Sequence, residues 1–558
     1  MRPVHRIALA MFLAAPLTAP ALAVEPDAPQ ALIGPTEAIR LAVQNRLSAK
    51  FTETTEHKKD EQGALVEFYS VPDHRLLWVD ENGLTERGKA VMAEIEKADD
   101  YGLRTSDYKL PDPAGFNPQD ANAAEWLAEA EVKVSFAVLD YAYDARGGRI
   151  VPQQLSRNLD PTLALPNPTE VIESIAIRSD PAAYLRSFQP DQPQFEALRQ
   201  RLLALRGSKT EEPAPVVTIP DGPVLKLGIE HEQVELLRKR LDLAEGSSTN
   251  EMLFDQNVFE AVTQFQRTHG IYADGVVGPG TRRVLNAPNR RPSAASPAQI
   301  RQILVNMERW RWLPHDLGGF YVMTNIPEFM LRVVKDDEPV FTTRVVVGKV
   351  NTQTPVFSNE MQTVVFGPYW NMPNSIKVEE IRPYLRQEAS WFFGGGGWNT
   401  SVLQRHGVRM RYGGREIDPR TVDWNRVDIR NFELYQPPGP GNVLGKVKFM
   451  FPNKHDVYMH DTPQKHLFAN NIRAESHGCM RVQNPDQLAS IIMQHDQGWS
   501  PARTHSALDT AYDQQVPLRQ KIPVYIAYFT LKVNADGSIS TYGDLYGHDA
   551  RMAAALGL

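Results

Sequence analysis

The chain is poor in cysteine, in excess positive charge and in long apolar segments. Its 558 residues include one cysteine, so no internal disulfide can stabilise it. Its formal net charge is −7, unlike the basic surface that nucleic-acid-binding proteins present. Beyond the N-terminus, no segment reaches the roughly 18 consecutive apolar residues of a membrane-spanning helix. These absences argue against a disulfide framework, a nucleic-acid partner and a membrane-embedded fold.

The N-terminus has the parts of a cleavable export signal. Residues 1–6 are basic, residues 7–13 are apolar, and an Ala-Leu-Ala cleavage site ends at Ala23. Pro16 and Pro20 interrupt the stretch, which disfavours the alternative of a transmembrane anchor. We therefore predict that the signal peptide is removed, leaving an exported protein without a transmembrane span.

The mature sequence divides into three parts, and the fold class we predict is multidomain α+β. Apolar residues at helical spacing predict a mostly helical scaffold domain over residues 24–220. Short amphipathic segments and glycine-rich turns predict a three-helix module over residues 224–288. Alternating β-branched residues then predict a mainly-β domain over residues 300–548. Hydrophobic residues make up 42% of the chain, which is ample for several packed cores.

The strand pattern stops inside the third part, over residues 372–447. So long an insert beside a functional site is usually a lid or a substrate-clamping element. We therefore expect an inserted capping subdomain, with Glu379, Glu380 and Ile381 on a helix. The alternative is a surface decoration without a catalytic role.

The lone cysteine has neighbours that suit nucleophilic chemistry. Cys479 follows Ser476, His477 and Gly478, and His460 lies upstream in the run Tyr-Met-His-Asp-Thr-Pro. A thiolate attacks an acyl carbon far better than a thiol does, and a neighbouring histidine can take the proton. The pattern therefore predicts a cysteine nucleophile with a histidine base.

Two further features of this segment suit acyl chemistry. The backbone N–H groups around His477, Gly478 and Cys479 can converge on one point and stabilise an oxyanion. The guanidinium group of Arg481 can hold a substrate carboxylate through two hydrogen bonds. Both interpretations place substrate-binding groups next to the nucleophile.

Each residue also has a structural alternative. The cysteine could be buried and inert, His477 a structural hydrogen-bonding residue and His460 a loop residue. Arg481 could pair with Glu475 or Asp486. Their joint occurrence around the only cysteine favours catalysis.

Histidines in this region raise the question of a metal. His455, His460, His466 and His477 lie close together in the sequence. Their spacing is not a familiar ligand pattern, so we expect no metal site. Acyl transfer by a cysteine also requires no organic cofactor.

These motifs resemble the L,D-transpeptidase catalytic domain, which has the YkuD fold. The segments that carry the resemblance are ERWRWLP at 308–314, VVVG at 345–348, TPVFS at 354–358, WNMPNSI at 370–376, HDTP at 460–463 and SHGCMR at 476–481. The module at 224–288 resembles the three-helix peptidoglycan-binding module in AVTQFQ at 261–266 and DGVVG at 274–278. The order of the parts is similar to large YcbB-like L,D-transpeptidases of Gram-negative bacteria.

The resemblance implies a defined reaction and location. Family members take peptidoglycan stem peptides as donor and acceptor in the periplasm. The cysteine attacks the diaminopimelate carbonyl of a tetrapeptide stem, D-alanine leaves, and the amine of a second stem resolves the thioester into a 3-3 crosslink. Carbapenems acylate the cysteine of this family. Other cell-wall synthesis proteins are further expected partners.

The resemblance also implies a role for each matching residue. Cys479 would be the nucleophile and His460 the base, oriented by the carbonyl of Asp461. His477 and Gly478 would shape the oxyanion site.

Four further residues would line the substrate site. Arg481 would serve the donor, with Tyr458, Trp370 and Asn371 as weaker candidates. The insert would cover the donor.

Three other functions remain open from the sequence. The same residues would serve an L,D-carboxypeptidase that uses water as acceptor, although a covering insert favours transfer. In a wall-binding scaffold protein, the catalytic domain would matter little for function. Attachment of a protein to the wall would use the same chemistry.

Overall fold

The computed structural model describes residues 34–49, 55–207, 217–243, 249–268, 273–286, 296–387 and 398–558. The predicted signal peptide lies outside the described residues. No helix within the described ranges is long and apolar enough to cross a membrane.

The N-terminal part is helical and packs around one apolar core. Its helices are α1 (Pro35–Ser48), α2 (Glu56–Ser70), α3 (Glu86–Ile95), α4 (Ala123–Ala145), α5 (Pro152–Leu155), α6 (Pro168–Ile177), α7 (Pro181–Arg186) and α8 (Pro193–Gly207). The central helix α4 buries residues on several sides, among them Leu127, Val134 and Val138, because α1, α3 and α6 pack against it. The sequence analysis predicted this helical character correctly.

One short segment of this region departs from the helical pattern. The strands β1 (Val79–Asp80) and β2 (Gly83–Leu84) form a hairpin. The backbone N–H groups of Leu77, Trp78 and Val79 donate to the carboxylate of Glu131 on α4. Because these N–H groups donate to that carboxylate, they are not available for the backbone hydrogen bonds of a helix. Residues 77–79 are therefore not helical, although their apolar side chains fit the mostly helical prediction.

A small three-helix module follows. Its helices are α9 (Gln233–Arg240), α10 (Gln256–Thr268) and α11 (Pro279–Leu285). Val234, Phe254 and Val262 form part of its own buried core. Gly275 has φ of +70° and donates its N–H to Gln266 Oε1 at 2.8 Å, which fixes the turn between α10 and α11.

The C-terminal part is rich in strands. Its strands are β3 (Phe320–Asn325), β4 (Met330–Lys335), β5 (Glu338–Gly348), β6 (Phe357–Phe366), β7 (Trp370–Asn371), β8 (Arg386–Gln387), β9 (Trp398–Asn399), β10 (Arg409–Tyr412), β11 (Arg415–Glu416), β12 (Glu433–Gln436), β13 (Val447–Met450), β14 (Met459–His460), β15 (Ala474–Ser476), β16 (Met480–Val482), β17 (Gln514–Ala527), β18 (Leu531–Val533) and β19 (Ile539–Thr541). Its helices are α12 (Pro297–Trp310), α13 (Asn374–Ile376), α14 (Ser401–Arg405), α15 (Pro485–Gln497), α16 (Pro501–Thr510) and α17 (His548–Ala555).

Nine of these strands form the main sheet, in the order β15-β5-β16-β14-β13-β6-β17-β3-β4. In the segment β13-β14-β16, the apolar side chains of Val447, Phe449, Met459, Met480 and Val482 belong to the buried core. Successive side chains on a strand alternate between the two faces. The residues between these apolar ones therefore point to the other face, which carries the candidate site.

The insert folds as a unit of its own. A four-stranded sheet in the order β11-β10-β12-β7 is covered by a core that includes Leu403, Trp424 and Leu434. These strands have two to four residues each, too short for a visible alternation, which is why the strand pattern of the sequence stops over the insert although strands form there. Glu379 and Glu380 lie on a π-helical turn at Lys377–Ile381, which agrees with the helix predicted for these residues.

The helical part and the strand-rich part meet at the end of α12. Arg311 Nη2 donates to the carbonyl of Tyr101 at 2.6 Å, and Arg149 Nη2 lies 3.1 Å from Glu308 Oε2. Gly147 approaches Trp312 so closely that a Cβ would lie 3.0 Å from the indole ring. The ERWRWLP segment therefore joins the two parts through buried polar contacts.

Candidate active site

The loop between β15 and β16 holds Cys479 in a fixed conformation. Gly478 has φ of +115°, a region that residues with a side chain rarely adopt. Its N–H donates to Ser476 Oγ at 3.2 Å, and its carbonyl accepts from Thr354 Oγ1 at 2.7 Å. Ser476 Oγ in turn donates to the carbonyl of Cys479 at 2.6 Å. The loop is thus bound on both sides of the cysteine.

The strand register brings the predicted site residues onto one face. β14 and β16 run parallel, with His460 paired to Arg481 and Met459 paired to Met480. Cys479 lies two residues before Arg481, as Tyr458 does before His460, so these four side chains face the same way. The structure therefore brings together four side chains that the sequence separates into two motifs: Tyr458, His460, Cys479 and Arg481.

The imidazole of His460 is buried and oriented. Its Nδ1 is in hydrogen-bond contact with the carbonyl of Asp461. A proton on Nδ1 leaves the lone pair of Nε2 free to accept a proton from another group. Burial lowers the pKa of His460 to about 4, and the nearby charge of Arg481 acts in the same direction. The histidine is therefore neutral and able to act as a base at neutral pH.

The thiol of Cys479 is also neutral at rest. Burial raises the pKa of the Cys479 thiol to about 11, although hydrogen bonds from Tyr458 and the charge of Arg481 act against this rise. Sγ lies 3.7 Å from the carbonyl of Asp456. Because both the thiol and His460 are uncharged, an attack by Sγ would require the thiol proton to pass to a base as the new bond forms.

The Asp461 side chain fixes the loop that follows His460. Its Oδ1 accepts from the N–H of Thr462 and from Lys465 Nζ, both at 2.6 Å, and its Oδ2 accepts from the N–H of Lys446 at 2.9 Å. Its backbone carbonyl thus remains in place for the histidine. Asp461 orients His460 through the main chain while its carboxylate holds the loop.

The two residues expected at the oxyanion site have other contacts. The imidazole of His477 points to the insert, with Nε2 at 2.5 Å from Glu380 Oε1. The N–H of Gly478 already donates to Ser476. Within the described ranges, the N–H of Cys479 has no such acceptor, so it is available to donate to an oxyanion next to Sγ.

Arg481 is half-buried and lies two residues after Cys479. Its Nη1 donates to Gln464 Oε1. No carboxylate in the described part of the chain lies within ion-pair distance of its guanidinium group, so the alternative pairing with Glu475 or Asp486 is not formed. Burial lowers the pKa of Arg481. A desolvated cation with a neutral partner is suited to bind an anionic group of a substrate.

Trp370 and Asn371 lie on β7, at the base of the insert. Trp370 is buried in the core of the insert, and Tyr458 packs against that same core. Asn371 is exposed and pairs with Tyr435 of β12. The structure thus places the insert over the face that carries Tyr458, with Trp370 as a packing residue.

Among the described residues, one group of side chains has the geometry to hold a metal ion. It lies in the helical part and consists of His57, Glu61 and Asp140. Lys58 Nζ lies 2.9 Å from Glu61 Oε2 and also contacts Asp140. The lysine ammonium therefore offsets one of the two carboxylate charges of this group.

Sequence reasoning missed two residues of this region, Lys448 and Glu380. Lys448 lies on β13 directly opposite His460. The run Val-Lys-Phe-Met at 447–450 shows that the lysine points away from the core, but not which strand lies beside it. Glu380 lay on the predicted helix, and its contact with His477 is long-range.

Three family comparisons match separate parts of the chain. Residues 319–505 match the L,D-transpeptidase catalytic domain, YkuD. Residues 230–285 match the family described as "Putative peptidoglycan binding domain", and residues 63–202 match a scaffold domain. The chain therefore carries a YkuD L,D-transpeptidase catalytic domain next to a peptidoglycan-binding domain, which confirms the resemblance seen in the motifs.

Individual relatives agree with this assignment over part of their length. A Haemophilus influenzae protein named "Putative L,D-transpeptidase" is 30% identical over 262 residues, which cover 47% of this chain and 50% of the relative. An L,D-transpeptidase structure from Xylanimonas cellulosilytica is 16% identical, covering 57% of this chain and 100% of that chain, with a TM-score of 0.16. One from Mycobacterium smegmatis is 12% identical, covering 37% and 58%, with a TM-score of 0.17. TM-scores this low carry no weight for function.

Proposed function

We propose that this chain is an exported L,D-transpeptidase that joins peptidoglycan stems by 3-3 crosslinks, with Cys479 as nucleophile and His460 as general base. The carrying observation is the shared face of Tyr458, His460, Cys479 and Arg481 beneath the insert. This arrangement supplies a nucleophile, a base and a cation for the substrate. The matched catalytic and peptidoglycan-binding domains support the choice of substrate class.

The first half-reaction forms a thioester. His460 Nε2 takes the thiol proton while Sγ bonds to the diaminopimelate carbonyl of a tetrapeptide stem. The N–H of Cys479 stabilises the oxyanion that develops on the carbonyl oxygen. The imidazolium then gives its proton to the departing amine, the C–N bond breaks, and D-alanine leaves. Arg481 holds a carboxylate of the donor on the acyl side.

The second half-reaction transfers the acyl group. The side-chain amine of diaminopimelate in a second stem attacks the thioester, and His460 accepts its proton. The C–S bond breaks, an amide forms, and the thiolate recovers its proton from the imidazolium. The two stages make the reaction ping-pong.

The insert would decide between transfer and hydrolysis. Its core lies against Tyr458, next to the nucleophile. A cover over the thioester limits the access of water and so favours an amine acceptor over the carboxypeptidase reaction. The same thiol is the group that a carbapenem would acylate.

Mass spectrometry of disaccharide-tetrapeptide incubated with the purified mature protein tests the proposal. We expect a dimer that lacks one D-alanine, and no dimer with the Cys479→Ala variant. A carbapenem should add its mass to the wild type and not to the variant. Shortened monomer alone would replace the proposal with an L,D-carboxypeptidase, and product from the variant would refute the role of Cys479.

A further inference from the structure

Lys448 occupies a central place on the catalytic face. It lies on β13 opposite His460 of β14, which lies beside Arg481 of β16. Residues paired in register share a face of the sheet, so the three side chains form one row with His460 in the middle. Val447 and Phe449, on either side of Lys448 in the sequence, are buried in the core of the opposite face.

Lys448 has no carboxylate within ion-pair distance in the described residues. Nearby lysines differ in this respect. Lys446 Nζ lies 2.7 Å from Asp509 Oδ1, and Lys465 Nζ lies 2.6 Å from Asp461 Oδ1. Unlike Lys446 and Lys465, Lys448 therefore has no ion-pair partner among the described residues, and its charge is left for another group.

The surroundings of Lys448 make an anionic ligand favourable. Its Nζ lies 5.8 Å from the ring centroid of Tyr458, and burial lowers its pKa. Asp513 and Cys479 lie beyond ion-pair distance, and their charges act to raise the pKa of Lys448. His460 and Arg481 are the other charged or titratable groups of the row. Burying a cation is costly unless an opposite charge compensates it.

The order of the strands indicates which part of a donor stem would reach Lys448. Sγ of Cys479 attacks from the β16 side, and His460 on β14 must give its proton to the departing amine. The leaving residue therefore lies over β14. In that residue, one carbon separates the amine from the carboxylate. The strand next to β14, about 4.8 Å away, is β13, which carries Lys448.

We propose that Lys448 binds the terminal carboxylate of the leaving D-alanine and so selects donor stems that end at that residue. This inference rests on the proposed function. A stem that continues beyond this position has an uncharged amide there, so it cannot make the charge-assisted contact. Arg481, on the other side of His460, remains available to the part of the donor that stays bound.

Acylation of Cys479 by two tetrapeptides, one with a free terminal carboxylate and one with a terminal amide, tests the assignment. The wild type should favour the acid by about tenfold to hundredfold in kcat/KM, the equivalent of one charge-assisted hydrogen bond. Lys448→Met should lose that factor on the acid and keep the wild-type rate on the amide. Lys448→Arg should retain most of the preference, and Lys446→Met, the matched control, should behave as the wild type.

The possible failures are distinguishable. If Lys448→Met slows both substrates equally, the lysine acts on the Cys479–His460 pair, and the assignment is overturned. If the folded wild type forms no acyl-enzyme with either peptide, the proposed function fails and this inference fails with it.

Discussion

Glu131 in the helical part and His460 in the catalytic part are both buried polar groups, but their partners differ. Glu131 is fully buried and accepts hydrogen bonds from Tyr69 Oη at 2.6 Å and from three consecutive backbone N–H groups. Within the described residues, His460 makes one hydrogen bond through its ring, between Nδ1 and the carbonyl of Asp461. A satisfied buried group holds the fold, whereas a ring nitrogen without a partner there is available to accept a proton.

The comparison also explains the directions of the pKa shifts. Burial raises the pKa of Glu131, and its four hydrogen bonds act against that rise, because they favour the charged form. Burial shifts the pKa values of Cys479 and His460 apart, to about 11 and about 4. Both groups are therefore neutral at neutral pH.

Replacing the base should give the largest effect. His460→Ala should lower kcat for acylation by about 10²–10⁴-fold, the usual contribution of a general base. The free energy of unfolding should change little, since the imidazole has few partners to lose. The rate of thioester formation measures the change in kcat, and a denaturation curve measures the change in the free energy of unfolding. A comparable loss of stability and activity would show that His460 is a structural residue like Glu131.

Replacing the satisfied group should give the opposite result. Glu131→Ala would leave buried N–H groups of Leu77, Trp78 and Val79 without an acceptor, at about 1–3 kcal/mol each. The unfolding free energy of the helical part should fall by about 3 kcal/mol or more, while the folded fraction acylates at the wild-type rate. Glu131→Gln, which keeps one acceptor oxygen, should lose less. A slower reaction of the folded variant would show that Glu131 also affects catalysis.

The pH dependence sharpens the contrast further. Neutral His460 is the competent base, so acylation should hold from neutral pH down to about pH 4 and fall below it. Protonation is disfavoured in the folded state, so the contribution of this histidine to stability is present above its ordinary pKa of 6.5 and is lost as the pH falls toward 4. A rate profile that falls near pH 6.5 would contradict the burial argument.

The features predicted from sequence were those with a local signal. Helix α4 follows from apolar spacing over many turns, and Cys479, His460 and Arg481 stood in short motifs. The β1–β2 hairpin could not be foreseen, because it depends on Glu131 far along the chain. The row of Lys448, His460 and Arg481 depends on which strands pair, and strand order is a long-range property.

The contact between the insert and the cysteine loop should give the smallest effect. His477 and Glu380 lie 2.5 Å apart with partly exposed side chains, and exposed ion pairs contribute about 1 kcal/mol at most. Glu380→Gln should therefore change acylation less than about fivefold. A loss as large as that of His460→Ala would mean that the insert positions the nucleophile through His477, and the division between holding and reacting groups would then have to include the insert.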